Sequence, residues 1–112
     1  MTMRISIDVS VFIGSNTAYG RIYGTLMVAA VPATGAYISF QFALVEGQTL
    51  PSHFPGQLLV ASVGFLPSDG PEAQTMVMLE DIVCDTKAHA KAIADYMRKG
   101  FRLVVDEYGE PA

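Results

Sequence analysis

LEDIVCDTKAH, residues 79–89, is the stretch whose reading decides the fold. It opens with the two-residue period of a strand and closes with the residue types that start a helix. As the end of one regular strand over about 74–84, it places Met78, Glu80, Ile82 and Cys84 on one face. Val77, Leu79, Asp81 and Val83 fall on the other, because successive side chains point to opposite faces of a sheet. Glu80 and Asp81 then point apart, and only a β-bulge would give them a common face. Asp85 or Thr86 next offers a side-chain oxygen to the free amides of a helix N-terminus. The spacing predicts a helix over about 86–99 with Ala90, Ile93, Ala94 and Met97 inward and His89 and Tyr96 at the margin. Lys87, Lys91, Asp95 and Arg98 face water; Asp95 stands four residues before Lys99, the spacing of a helical ion pair. Lys99-Gly100 marks the end.

Downstream, residues 101–107 alternate again, with Phe101, Leu103 and Val105 on one face. A strand–helix–strand crossover sets its two strands parallel. Upstream, 3–13 opposes Ile5, Ile7, Val9, Val11 and Ile13 to Arg4, Ser6, Asp8 and Ser10, a half-buried strand. Residues 20–31 and 57–66 are apolar on both faces. Between them, 36–45 shows the clearest alternation: Ile38, Phe40, Phe42 and Leu44 against Tyr37, Ser39 and Gln41. Turns or loops fall at 14–17, 32–35, 46–56 and 67–71, where Gly, Pro, Ser and Asn gather. The expected fold is therefore α+β: a curved, mostly antiparallel sheet or small barrel of about six strands. One helix packs on it, and a parallel final strand would make the sheet mixed. Residues 1–112 are expected to form a single compact domain, with 108–112 a loose tail.

The charge distribution is the chain's largest departure from an average protein. Only 16% of its residues are charged, against about 25% in ordinary globular chains. Residues 1–45 hold only Arg4, Asp8 and Arg21, so 15 of the 18 charges lie beyond them. A charge-poor half implies surface covered by something other than water, and a second copy of the chain is the simplest cover. A net charge of −4 and an isoelectric point near 4.9 argue against nucleic acid, which is held by clustered Lys and Arg. The uncharged stretch 25–45 is long enough to span a bilayer, but Pro32 and Gly35 break it into a hairpin, so no membrane is expected. A single cysteine forms no internal disulfide and fits the cytoplasm.

Candidate residues for chemistry are few. Cys84 stands at a helix start, where a thiol can be activated, with His89 five residues on as a base. The plainer reading is a small buried apolar residue. Cys84, His89, His53 and a carboxylate could in principle surround zinc, yet no ligand spacing draws them together, and no metal or cofactor is expected. His53 and Phe54 between Pro51 and Pro55 make a stiff loop, read as a plug with Phe54 inward. Met27, Met76 and Met78 read as core fillers.

The sequence thus favours a non-catalytic interaction, assembly or accessory subunit that forms a homo-oligomer through its N-terminal strands, with Tyr37, Ile38, Phe40 and Phe42 as interface candidates. The alternative is a small-molecule-binding protein or small enzyme, its pocket between helix and sheet bordered by His53, Cys84, His89 and Tyr96.

Overall fold

A computed structural model describes residues 3–14, 17–66 and 74–108. The chain runs β1 (Met3–Ile13), β2 (Thr17–Val28), β3 (Tyr37–Ser39), β4 (Gln57–Leu66), β5 (Gln74–Leu79), β6 (Ile82–Cys84), α1 (Lys87–Phe101) and β7 (Val104–Glu107). The strands form one sheet in the order β3-β4-β5-β1-β2-β7, and β6 follows β5 along the same edge of β1. The fold is α+β and the sheet is mixed, as expected. Its parallel pairs, however, are β1 with β5 and with β6; β7 pairs antiparallel with β2. β7 does run in the same direction as β6, but β1 and β2 lie between them.

The sheet stays open instead of closing into a barrel, because a helix and a loop, not a curled sheet, close the core. From the sheet come Ile5, Ile7, Val9, Val11, Ile22, Val60, Val77 and Leu79. Opposite them lie Ala90, Ile93, Ala94 and Met97 on the inner face of α1, all at most 1% exposed. Burial of each aliphatic side chain contributes about 1.5–3 kcal/mol, and this layer is the main source of stability. Tyr96, expected at the margin, is buried at 3% exposure and donates its hydroxyl to the Phe40 carbonyl.

Both ends of α1 show how side chains set helix boundaries. Thr86 is the N-cap: its Oγ1 accepts the His89 amide at 3.2 Å. The helix does not stop at Gly100. It continues to Phe101, and Arg102 takes the left-handed conformation at φ 58°. The Gly100 carbonyl accepts the amides of Leu44 and Val45, and a Cβ at position 100 would lie 3.0 Å from the Ala43 Cβ. Gly100 thus serves a close approach between helix and loop, and the turn of chain falls to Arg102. Asp95 pairs with Arg98 rather than Lys99.

The third strand departs most from its sequence pattern. Only Tyr37–Ser39 pairs with β4; at Phe40 the chain leaves the sheet, its amide bonded to the Gly56 carbonyl at 2.6 Å. Phe40 turns fully inward, edge-on to Phe101 with ring centroids 5.0 Å apart. Phe42 and Leu44, expected on the same face as Phe40, are 86% and 72% exposed. Alternation ends because the backbone stops being extended. The Phe54 plug is confirmed: its ring is buried, 6.2 Å from Tyr96. The tail begins with a bond, since the Tyr108 amide donates to the Tyr19 carbonyl at 2.9 Å. The remainder of the tail (109–112), the turn at 15–16 and the turn at 67–71 lie outside the described residues.

Candidate functional site

The acidic cluster at 79–85 is organised by a bulge. Ser6, Ile7 and Asp8 stand opposite Met76, Val77 and Met78, whereas Val11, Phe12 and Ile13 stand opposite Ile82, Val83 and Cys84. The β5–β6 run therefore carries one more residue than β1 across the same span. An extra residue flips the facing of everything after it. The buried positions are odd in β5 (Thr75, Val77, Leu79) and even in β6 (Ile82, Cys84). A single regular strand is thus corrected to two, which is why the sheet has seven strands among the described residues and not the expected six. Glu80, at the bulge, works as a backbone clamp. Its amide donates to the Leu59 carbonyl at 2.9 Å, and its Oε1 accepts the Leu59 amide at 3.1 Å. The cluster's acid is committed to holding β4 to the bulge.

Of the four pocket candidates, two are in the core. Cys84 is buried, its carbonyl accepting the Gly14 amide. Burial, with Asp85 adding to it, pushes the thiol above its ordinary range and so disfavours the thiolate a nucleophile needs. Tyr96 is likewise pushed up by burial. The other two candidates meet. His53, exposed in the loop, and His89, half-buried in the first turn of α1, stack with ring centroids 3.6 Å apart and planes 25° apart. Thirty-five residues of chain separate them, and no spacing rule in the sequence pairs them. Among the described residues no three of His, Cys, Asp or Glu are grouped to hold a metal ion.

The larger feature is the second face of the sheet. α1 covers the face bearing Ile5, Ile7, Val9 and Val11, so the opposite positions of β1 and its neighbours look outward. Pairing places Arg4 beside Met27, Ser6 between Thr25 and Met76, Asp8 between Tyr23 and Met78, and Ser10 beside Arg21. Phe12 meets Val83, and Val104 meets Tyr23. Met27, Met78, Val83 and Val104 are 40–64% exposed. Met27, Met76 and Met78, expected as core fillers, are instead on this outer face, Met76 half-buried. At its centre Arg21 donates through Nε to both carboxylate oxygens of Asp8, at 3.1 and 2.9 Å. Its guanidinium lies 4.4 Å from the Tyr23 ring centroid. A shallow depression of about 280 Å³ lies here, lined by Ser6, Asp8, Arg21, Tyr23, Thr25 and Met76 among others.

The interface candidates divide. Phe40 is fully buried and presents nothing to a partner; Ile38 is half-buried; Tyr37 and Phe42 are exposed at 62% and 86%. The outward residues of β1 and β2 were not among the candidates. Their signal lay in the polar side of β1, but it needed the partner strands of β1 to become a surface. Comparison of the chain with protein-family models, with curated proteins and with solved structures finds no match. No described helix is long and apolar enough to cross a membrane.

Proposed function

We propose that this is a non-catalytic interaction or assembly subunit, working in the cytoplasm, that self-associates by packing the open face of its sheet on a second copy. The observation that carries the reading is the one-sided sheet: one face closes the core, while the other combines apolar side chains with few charges. Across β1, β2 and β7, Arg4 and Arg21 stand there with Asp8 and Asp106, so these strands are balanced on a chain of net charge −4, and exposed Asp81 adds one acid at the β6 edge. Two copies meeting through these balanced central strands face less repulsion than the acidic rest of the surface would impose. Size agrees. Five strands (β4, β5, β1, β2 and β7) about 4.8 Å apart, 4 to 12 residues long and averaging about eight to nine, span roughly 600–700 Å² at about 3.3 Å per residue before side-chain relief is counted. A standard interface takes about 800 Å² from each partner. Methionines suit such a surface because they adapt their shape to what they meet.

The small-molecule or enzymatic alternative draws less support, since Cys84 and Tyr96 are packed among core side chains and the depression on the open face is shallow. Sedimentation equilibrium tests the proposal. The native chain is expected to form dimers, and Met27→Glu combined with Met78→Glu to yield folded monomers, as judged by unchanged far-UV circular dichroism. A native chain that stays monomeric at millimolar concentration overturns the reading, as does a double variant that dimerises as well as the native chain.

A further inference from the structure

The stacked histidines stand apart from the sheet face and have no part in self-association through it. They are the only two histidines in the chain, and the fold brings them into ring contact. His53 belongs to the segment Pro51–Gly56, whose Phe54 closes the core beside Tyr96 and whose Gly56 carbonyl holds the Phe40 amide. His89 belongs to the capped first turn of α1, its amide held by Thr86. The stack therefore joins the loop that plugs the core to the helix that forms it. We propose that the His53–His89 pair is a proton-sensitive latch, holding loop 51–56 on the first turn of α1 while at least one ring is neutral and loosening it when both are charged.

The geometry sets the sign. Neutral imidazoles stack, whereas two imidazoliums with centroids 3.6 Å apart repel each other across the closed loop. The partial positive charge of a helix N-terminus opposes a cation at His89 as well. The charged groups along the chain here are Glu80 and Asp81 before β6, Asp85 just before the cap, Lys87 and Lys91 in the first turns of α1, and Asp95, Arg98 and Lys99 further along it. Asp85 favours charged histidine and Lys87 opposes it, while Glu80 is engaged by the Leu59 amide. Residues 47–57 carry no charge other than that of His53. Because opening relieves this repulsion, charging both rings raises the open population of the loop on the order of sevenfold, taking 3.6 Å and the full dielectric of water. Buried Phe54 keeps the closed form dominant, so the loop loosens without leaving.

Histidine-ring NMR of the intact chain between about pH 8 and pH 5, the range in which histidines change charge, tests this together with amide-exchange protection of Phe54 and Gly56. The expected result is a loss of loop protection on the order of sevenfold once both rings are charged, while the protection of Ile93 does not change. His53→Phe keeps a ring on His89 without a second charge. It is expected to show one step and no acid loss of loop protection. The proposal is overturned if loop protection does not change as the native histidines charge, or if His53→Phe loosens in acid as the native chain does. The native titration decides the matter even if the variant fails to fold.

Discussion

Replacing Phe40 and Phe42 by alanine, one at a time, separates the structure from the alternation that the sequence shows over 36–45. In a regular strand the two rings would share one face and one environment. In the structure Phe40 has no exposed surface, and Phe42 keeps 86% of its own. Phe40→Ala empties a site enclosed by Phe101 and the helix, where phenylalanine truncation costs about 3–5 kcal/mol. Loss of the edge-on contact with Phe101, at 5.0 Å and 84°, places the cost in the upper part of that range. Phe42→Ala removes a ring that touches mostly water, so its cost to the monomer stays within about 0.5 kcal/mol. For a domain of this size each kcal/mol moves the melting midpoint by about 4–8 °C, so Phe40→Ala falls by more than 10 °C while Phe42→Ala barely moves. The chain has no tryptophan, so urea unfolding followed by far-UV circular dichroism, at dilutions that keep the chain monomeric, is the suitable assay. Equal losses for the two variants, or a loss above about 1 kcal/mol for Phe42→Ala, would refute the inward turn at Phe40.

Glu80→Ala is expected to cost about 1–2 kcal/mol in the same assay, because it leaves the Leu59 amide without its acceptor, while Glu80→Gln, which keeps an oxygen there, recovers most of it. A near-neutral Glu80→Ala would show that the bulge holds without the clamp. Stability is also expected to fall in alkali. Burial pushes Tyr19, Tyr96 and Cys84 up, with the Glu107 hydrogen bond also raising Tyr19, so the folded state holds these protons more tightly than the unfolded state. Their contribution is complete below the unfolded thiol and phenol ranges, near about pH 8.5 and 10, and is lost as pH rises through the folded values. Urea midpoints that are flat from neutrality to strong alkali would contradict this, and Tyr19→Phe should shallow the decline.

How much of the candidate site could be read in advance depended on whether its cause was local. A cap at Asp85 or Thr86 was legible because an N-terminal amide is satisfied by an oxygen a few residues away, and the structure gives the place to Thr86. The bulge at Glu80 was legible only as a condition, since an extra residue is defined against β1, which lies some seventy positions earlier. The histidine pair was not legible at all: nothing between residues 53 and 89 fixes where a loop folds back over a helix.

By itself the sequence determined the α+β class, the first and fourth strands, the helix start and its apolar stripe, because each rests on periodicity or capping within a few residues. It also determined that the N-terminal half would be poor in charge. Tertiary structure alone decided which of two apolar faces meets the helix and which stays open. It sent Phe40 inward and Phe42 outward, and it placed the methionines of β2 and β5 on the surface rather than in the core. The reason is the same in each case: alternation says only that two neighbours face opposite ways, and the fold assigns the sides once distant strands have paired.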